Sequence, residues 1–386
     1  MKTRLLIAGL CAFCTISTAA QVTGEFYMEK ETFAPGEPVF LYFKLSNHGP
    51  DAIRLMSPDI DQPGCSANSI TVTSDPPPAY SCPNFAETGC VLNGTLKPLP
   101  PLLPGQSDIQ RFLLNFNREV NDPGDYVVNA SHFDIPIGAG GEAQANLHFR
   151  VDGDAPPYPA AKFQPWADQL KSSDPMKRFE AAQTLASLAP RSLEDTLIGF
   201  AANPEFRRYA PLALHRLNTP RSIEAMANMV KANGPGTWEQ MEGARYLAET
   251  GDRQWYPLLL ELALKNGKIS NYPAYAAELG GETMLPDLLA LANNPDTRLQ
   301  AVMAMGSTAS RQAIPILIDL LKSQDEGVSW RAAYSLRLLT HRSAGPKGEA
   351  HDPQTDYRMW TKWWQNEGTS APIYKDTECG ETAPLQ

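Results

Sequence analysis

The stretch between residues 238 and 275 is where this 386-residue chain concentrates side chains suited to molecular recognition. Trp238, Trp255, Tyr272 and Tyr275, with Tyr246, Tyr256 and the amide of Gln240 among them, offer large flat apolar areas with polar tips. Such groups anchor protein contacts when exposed. The alternative is interior packing, in which the rings fill gaps left by irregular loops. A second chemistry is thiol oxidation: Cys65, Cys82 and Cys90 fall close together and Cys379 lies near the end. One disulfide among the first three is expected, with the pairing of Cys379 left open. Zinc is disfavoured, because no CxxC pair and no suitably spaced histidine accompanies them.

Signatures of common enzymes are missing from the sequence: it has no GxSxG elbow, HExxH helix, phosphate loop or dinucleotide fingerprint. His132 and Asp134 alternate along a strand-like segment, but two ligands make a weak metal site, and a surface pair is expected. Asp152-Gly153-Asp154 lacks the distal Glu of a calcium loop and reads as linker. No metal and no cofactor is therefore expected. Catalytic carboxylate pairs depend on separations in three dimensions, which a sequence does not carry.

Charge and targeting narrow the function classes. Lys2 and Arg4, an apolar run from Leu5 to Ile16 and the small stretch Ser17-Thr18-Ala19-Ala20 have the composition of a signal peptide over residues 1–20. Bulky Leu10 and Phe13 precede Cys11 and Cys14, which argues against lipid attachment and for cleavage before Gln21. No later segment approaches the roughly 20 apolar residues of a membrane span. A soluble protein of the periplasm or the exterior is expected. Cleavage would leave 31 basic (33 − 2) and 43 acidic side chains, a net charge of −12, so nucleic acid is not an expected partner.

Residues 21–155 show the period of strands. Val39, Leu41, Phe43 and Leu45 alternate along one segment, which Asn47-His48-Gly49-Pro50 closes as a turn. Further segments at 52–56, 69–73, 109–116, 126–130 and 143–151 continue the series, as in an antiparallel sandwich. Pro123-Gly124-Asp125-Tyr126 resembles the tyrosine corner of immunoglobulin-like domains, a resemblance that implies a fold and no activity. The Pro-rich segment 58–104 reads as a long loop pinned by a disulfide.

A Pro/Ala-rich linker spans 156–165, and helical period takes over at Trp166. Six copies of one phrase follow, ending at Leu185, Leu214, Leu247, Leu279, Met305 and Leu336, with spacings of 29, 33, 32, 26 and 31 residues. Four copies open on Asp174, Asn203, Asn294 or Asp325, which suit helix caps, and Arg178, Arg207 and Arg298 stand four residues on. Copies three and four carry Gly236 and Lys268 at the cap position and Gln240 and Tyr272 at the arginine position.

This phrase resembles HEAT repeats over residues 166–367, and Trp360, Trp363 and Trp364 are similar to the Trp-rich closing helix of bacterial members. The resemblance implies that the caps and arginines form a ladder between neighbouring units. It also implies an α-α superhelical solenoid closed by a cap, with a tail at 368–386. The expected fold class is thus multidomain β + α: an antiparallel immunoglobulin-like β-sandwich followed by a HEAT-like solenoid. Stacked helical pairs at roughly 10 Å spacing would run about 60 Å. The tail from Glu367 to Cys379 extends at most about 43 Å, so Cys379 reaches a front cysteine only if the solenoid curls or the front domain folds down along it.

The family spans scaffolds, adaptors and a few lyase subunits. The expected role here is a non-catalytic protein-binding scaffold or adaptor, with Trp238, Gln240, Trp255, Tyr272 and Tyr275 at the contact. Two alternatives stand beside it: glycan or cell-wall binding by the sandwich, and a hydrolase or lyase with a repeat-built partner arm.

Overall fold

The computed structural model describes residues 22–53, 56–57, 68–75, 97–98, 101–116, 118–132, 143–268, 271–342, 353–374 and 384–385. Residues 1–20, Cys65, Cys82, Cys90, Cys379 and Asp134 lie outside these, as does most of the Pro-rich segment.

Alternation builds the first region. Strands β1 (Val22–Tyr27), β2 (Thr32–Phe33), β3 (Phe40–Asn47), β4 (Met56–Ser57), β5 (Asn68–Ser74), β6 (Lys97–Pro98), β7 (Ser107–Leu113), β8 (Gly124–His132) and β9 (Ala143–Val151) follow in order. One sheet runs β1-β3-β7, antiparallel throughout; a second runs β2-β9-β8-β5, antiparallel except for the short β2–β9 pair. Leu41, Phe43 and Leu45 of β3, with Val39 just before it, are all buried, together with Val128, Ala130 and Phe149 of the second sheet, in one core. Each such side chain contributes about 1.5–3 kcal/mol on leaving water. Across this core the rings of Phe43 and His132 stack at 4.5 Å. His132 is therefore an interior residue, which corrects the expectation of a surface pair. The Tyr126 hydroxyl donates to Asp122 O at 2.6 Å, the bond that the Pro-Gly-Asp-Tyr run led one to expect.

Before a final strand pair, Ile373–Tyr374 with Pro384–Leu385, the described chain from Gln164 onward is helical: α1 (Gln164–Gln169), then paired helices α2 (Pro175–Leu188) and α3 (Glu194–Gly199), α4 (Ala210–Leu217) and α5 (Pro220–Ala232), α6 (Trp238–Glu249) and α7 (Tyr256–Asn266). The pairs α8 (Tyr272–Gly280) and α9 (Leu285–Ala292), α10 (Arg298–Ala304) and α11 (Ala313–Leu320), α12 (Glu326–Thr340) and α13 (Pro353–Trp363) complete it. Each first helix packs on the next, α2 on α4, α4 on α6, and so on to α12, so the first helices form one continuous layer. Small residues permit this. A Cβ on Gly243 would meet Val230 Cγ2 at 2.6 Å, so only glycine admits the α5–α6 approach. Trp360 and Trp363 of α13 are buried where that helix packs on α11 and α12.

Caps set where the helices begin. The Asp174 side chain accepts from Met176 N at 2.9 Å and Asp325 from Gly327 N at 2.9 Å. Asn203 and Asn294 accept from the N–H groups of Glu205 and Asp296 in the turns before α4 and α10. The third copy has a cap after all. It is Thr237, one residue beyond the expected position, whose hydroxyl accepts from Gln240 N.

The ends repeat a feature that the phrase does not show. Every first helix is followed by a residue at positive φ: Ala189, Asn218, Gly251, Gly281, Ala309 and His341. Two of the four that are not glycine are alanines, at φ 41° and 49°, where an L side chain costs roughly 1–2 kcal/mol. Ala189→Gly and Ala309→Gly should each stabilise the chain by about 0.5–1 kcal/mol, read as a rise in urea midpoint.

The two regions meet through side chains. Arg111 of β7 pairs with Glu180 of α2, and its guanidinium carbon lies 5.0 Å from the Phe40 ring centre and 5.6 Å from that of Trp166. Arg216 of α4 donates to Asn115 O at 2.5 Å, to Phe116 O at 2.6 Å and to Ser187 O. The segment between is tied down as well: Tyr158 N donates to Pro35 O at 2.9 Å.

Candidate functional site

Of the five side chains expected at a partner contact, the structure leaves Trp238 the most exposed, at 56 %. Gln240, Trp255 and Tyr272 are interior, a correction with a clear cause. The Tyr272 hydroxyl donates to Gln240 Oε1 at 2.6 Å. Gln240 Nε2 in turn donates to Val230 O at 3.0 Å and Asn233 O at 2.8 Å, satisfying carbonyls where α5 ends. In copies three and four the two residues at the arginine position thus form one buried bond, a packing solution in place of a ladder rung. Tyr275 is half-buried against the core.

The ladder also differs in detail. Arg178 Nε pairs with Glu205 of the next unit at 2.6 Å, and Arg207 Nε lies 3.8 Å from Glu239. Arg298 instead donates to Ala292 O at the end of the preceding unit. The caps Asp174, Asn203, Asn294 and Asp325 spend their oxygens on backbone N–H groups, so the acidic partners stand elsewhere in the next unit's opening turn.

What sequence reasoning missed is the outward side of α6. Trp238, Glu242, Arg245 and Glu249 stand at i, i+4, i+7 and i+11, one stripe of the helix. Arg245 lies between both carboxylates, 2.7 Å from Glu242 and bonded to Glu249. Its guanidinium carbon is 4.1 Å from the Tyr246 ring centre. From α4, the His215 ring stacks on Tyr246 at 4.1 Å, and its Nε2 lies 3.6 Å from Glu249. The stripe is recessed: the side chains of Glu242, Arg245, Glu249 and His215 are only 18–23 % exposed. Burial alone would lower the Arg245 pKa, but the Glu242 bond and the charges around it hold it above its ordinary value. Burial pushes the Tyr246 hydroxyl up. The signal was readable in part, since Glu242-x-x-Arg245 and Arg245-x-x-x-Glu249 are helical pair spacings.

Among the described residues, no group of three or more His, Cys, Asp or Glu is placed to hold a metal ion, and no helix is long and apolar enough to cross a membrane. The front region carries an open depression between β1 and β9, lined by Tyr27, Met28, Glu31, Asn146 and His148.

Residues 284–347, from α9 to α12, match the family model described as HEAT repeats. That match and the helical region around it fit a HEAT-repeat protein. No curated protein matches the chain. Among solved structures, a beta-glucosidase from Listeria innocua in complex with glucose is similar at 11 % identity and a TM-score of 0.18, over 34 % of this chain and 16 % of that one. Salmonella alpha-2-macroglobulin reacted with methylamine is similar at 9 % identity and a TM-score of 0.19, over 92 % of this chain and 28 % of that one. The chain thus spans under a third of the length of either structure, and neither likeness bears on fold or activity.

Proposed function

We propose that this protein is an exported, non-catalytic scaffold or adaptor that binds a protein partner across the first helices of its middle HEAT repeats. The recessed stripe of α6 carries the reading. Partly desolvated charged groups, with Tyr246 against them and Trp238 on the same stripe, suit hydrogen-bonded recognition of another chain. Both carboxylates are committed to Arg245, an arrangement that fixes charge rather than moving protons. The matched HEAT repeat supports an adaptor role, because such repeats are commonly interaction scaffolds. In this reading the two sheets are an immunoglobulin-like sandwich, the helix pairs form a superhelical solenoid, and residues 1–20 direct export.

The test is photo-cross-linking from position 238 in the native compartment. A protein adduct formed by the otherwise unaltered chain should fall at least tenfold with Glu249→Gln, and unchanged capture would reject the site. A second reading, glycan binding, is supported by the depression beside Tyr27, whose ring stacks on Tyr42 at 5.2 Å. A glycan array probed with the full chain and with Tyr27→Ala separates the two.

A further inference from the structure

The last first-helix, α12, buries Val328, Ala332, Leu336 and Leu339 on one side. Its outward side carries Trp330, Tyr334, Arg337 and His341 at i, i+4, i+7 and i+11. Trp330 is 47 % exposed and lies nearly parallel to Tyr334, with ring centres 5.6 Å apart and planes 10° from parallel. Cations flank the pair. The Arg331 guanidinium carbon is 6.0 Å from the Trp330 ring and that of Arg337 is 5.7 Å from the Tyr334 ring. The row continues beyond the helix, where His341 stacks on Tyr374 of the strand Ile373–Tyr374 at 4.0 Å and 8°.

We propose that this row of flat rings and guanidinium groups docks an extended, acidic, aromatic-bearing segment of a partner protein. The charge pattern selects the occupant: from Trp330 to His341 the chain has two arginines and no acidic residue. A carboxylate can bond the exposed Arg337 guanidinium while an aromatic side chain lies on Trp330, so attraction and stacking act on one peptide. The length agrees. Eleven helical steps span about 16 Å, which an extended peptide covers in about five residues. This surface lies away from the α6 stripe and does not depend on the function proposed for it.

The experiment is fluorescence anisotropy with the full chain and labelled nine-residue probes. A probe of three Glu-Phe-Glu units should bind saturably and weaken with added salt, and three Lys-Phe-Lys units should bind at least tenfold more weakly. Trp330→Ala and Arg337→Gln should each cost at least tenfold for the acidic probe, whereas Trp238→Ala should cost nothing. Both altered side chains are exposed, and an unchanged helical circular dichroism spectrum confirms folding. Absence of saturable binding, an affinity in both α12 variants equal to that of the unaltered chain, or tighter binding of a twelve-residue oligo-dT would overturn the proposal. So would a dimer in size-exclusion light scattering that Trp330→Ala abolishes, because a second copy would then be the occupant.

Discussion

Tyr272→Ala should destabilise the helical region by about 3–5 kcal/mol, the range for removing a buried aromatic side chain. Tyr272 is fully buried, and its ring fills the junction between α6 and α8. Its loss leaves a cavity and strips the donor from Gln240 Oε1, while Gln240 still holds the Val230 and Asn233 carbonyls. Tyr272→Phe separates the two costs. It keeps the ring and leaves one buried acceptor without its donor, so about 1–2 kcal/mol is expected. Urea unfolding followed by circular dichroism measures both. A loss below about 0.5 kcal/mol for the alanine variant would be the behaviour of a surface residue and would contradict the interior position.

The second large effect concerns the junction of the two regions. Arg111→Ala combined with Arg216→Ala should turn a single calorimetric transition into two, with a loss of coupling of several kcal/mol. Arg216 satisfies three backbone carbonyls, two of them in the front region and one at the end of α2. Arg111 pairs with Glu180 while lying against Phe40 and Trp166. Hydrogen bonds to charged groups contribute about 1.5–3 kcal/mol each, and interfaces between domains are otherwise small and polar. With both guanidinium groups gone, packing and the Tyr158 N–Pro35 O bond of the connecting segment remain between the regions. Small-angle scattering should then show a larger radius of gyration. One unaltered transition in the double variant would show that the remaining contacts alone couple them.

The elements themselves were legible from side-chain period. Val39, Leu41, Phe43 and Leu45 point to one face because a strand alternates every residue, and all four are buried. Asp174 and Asp325 cap helices because a short acidic side chain reaches the free N–H groups of a first turn. Local chemistry of this kind acts within a few residues, so it can be read from the chain.

What Trp255, Tyr272 and Gln240 do was not legible, because an aromatic residue on a helix serves equally as a core or a surface residue until its neighbours are known. The sequence alone determined the strand and helix periods, the six-fold phrase, the caps and the charge. Only the tertiary structure decided which aromatics face inward, that the arginines reach Glu205 and Glu239, and that Glu242, Arg245, Glu249 and His215 share one recess. The physical reason is range. Backbone preference and capping are satisfied within one turn, whereas burial and ion pairing depend on which helices the stack brings side by side.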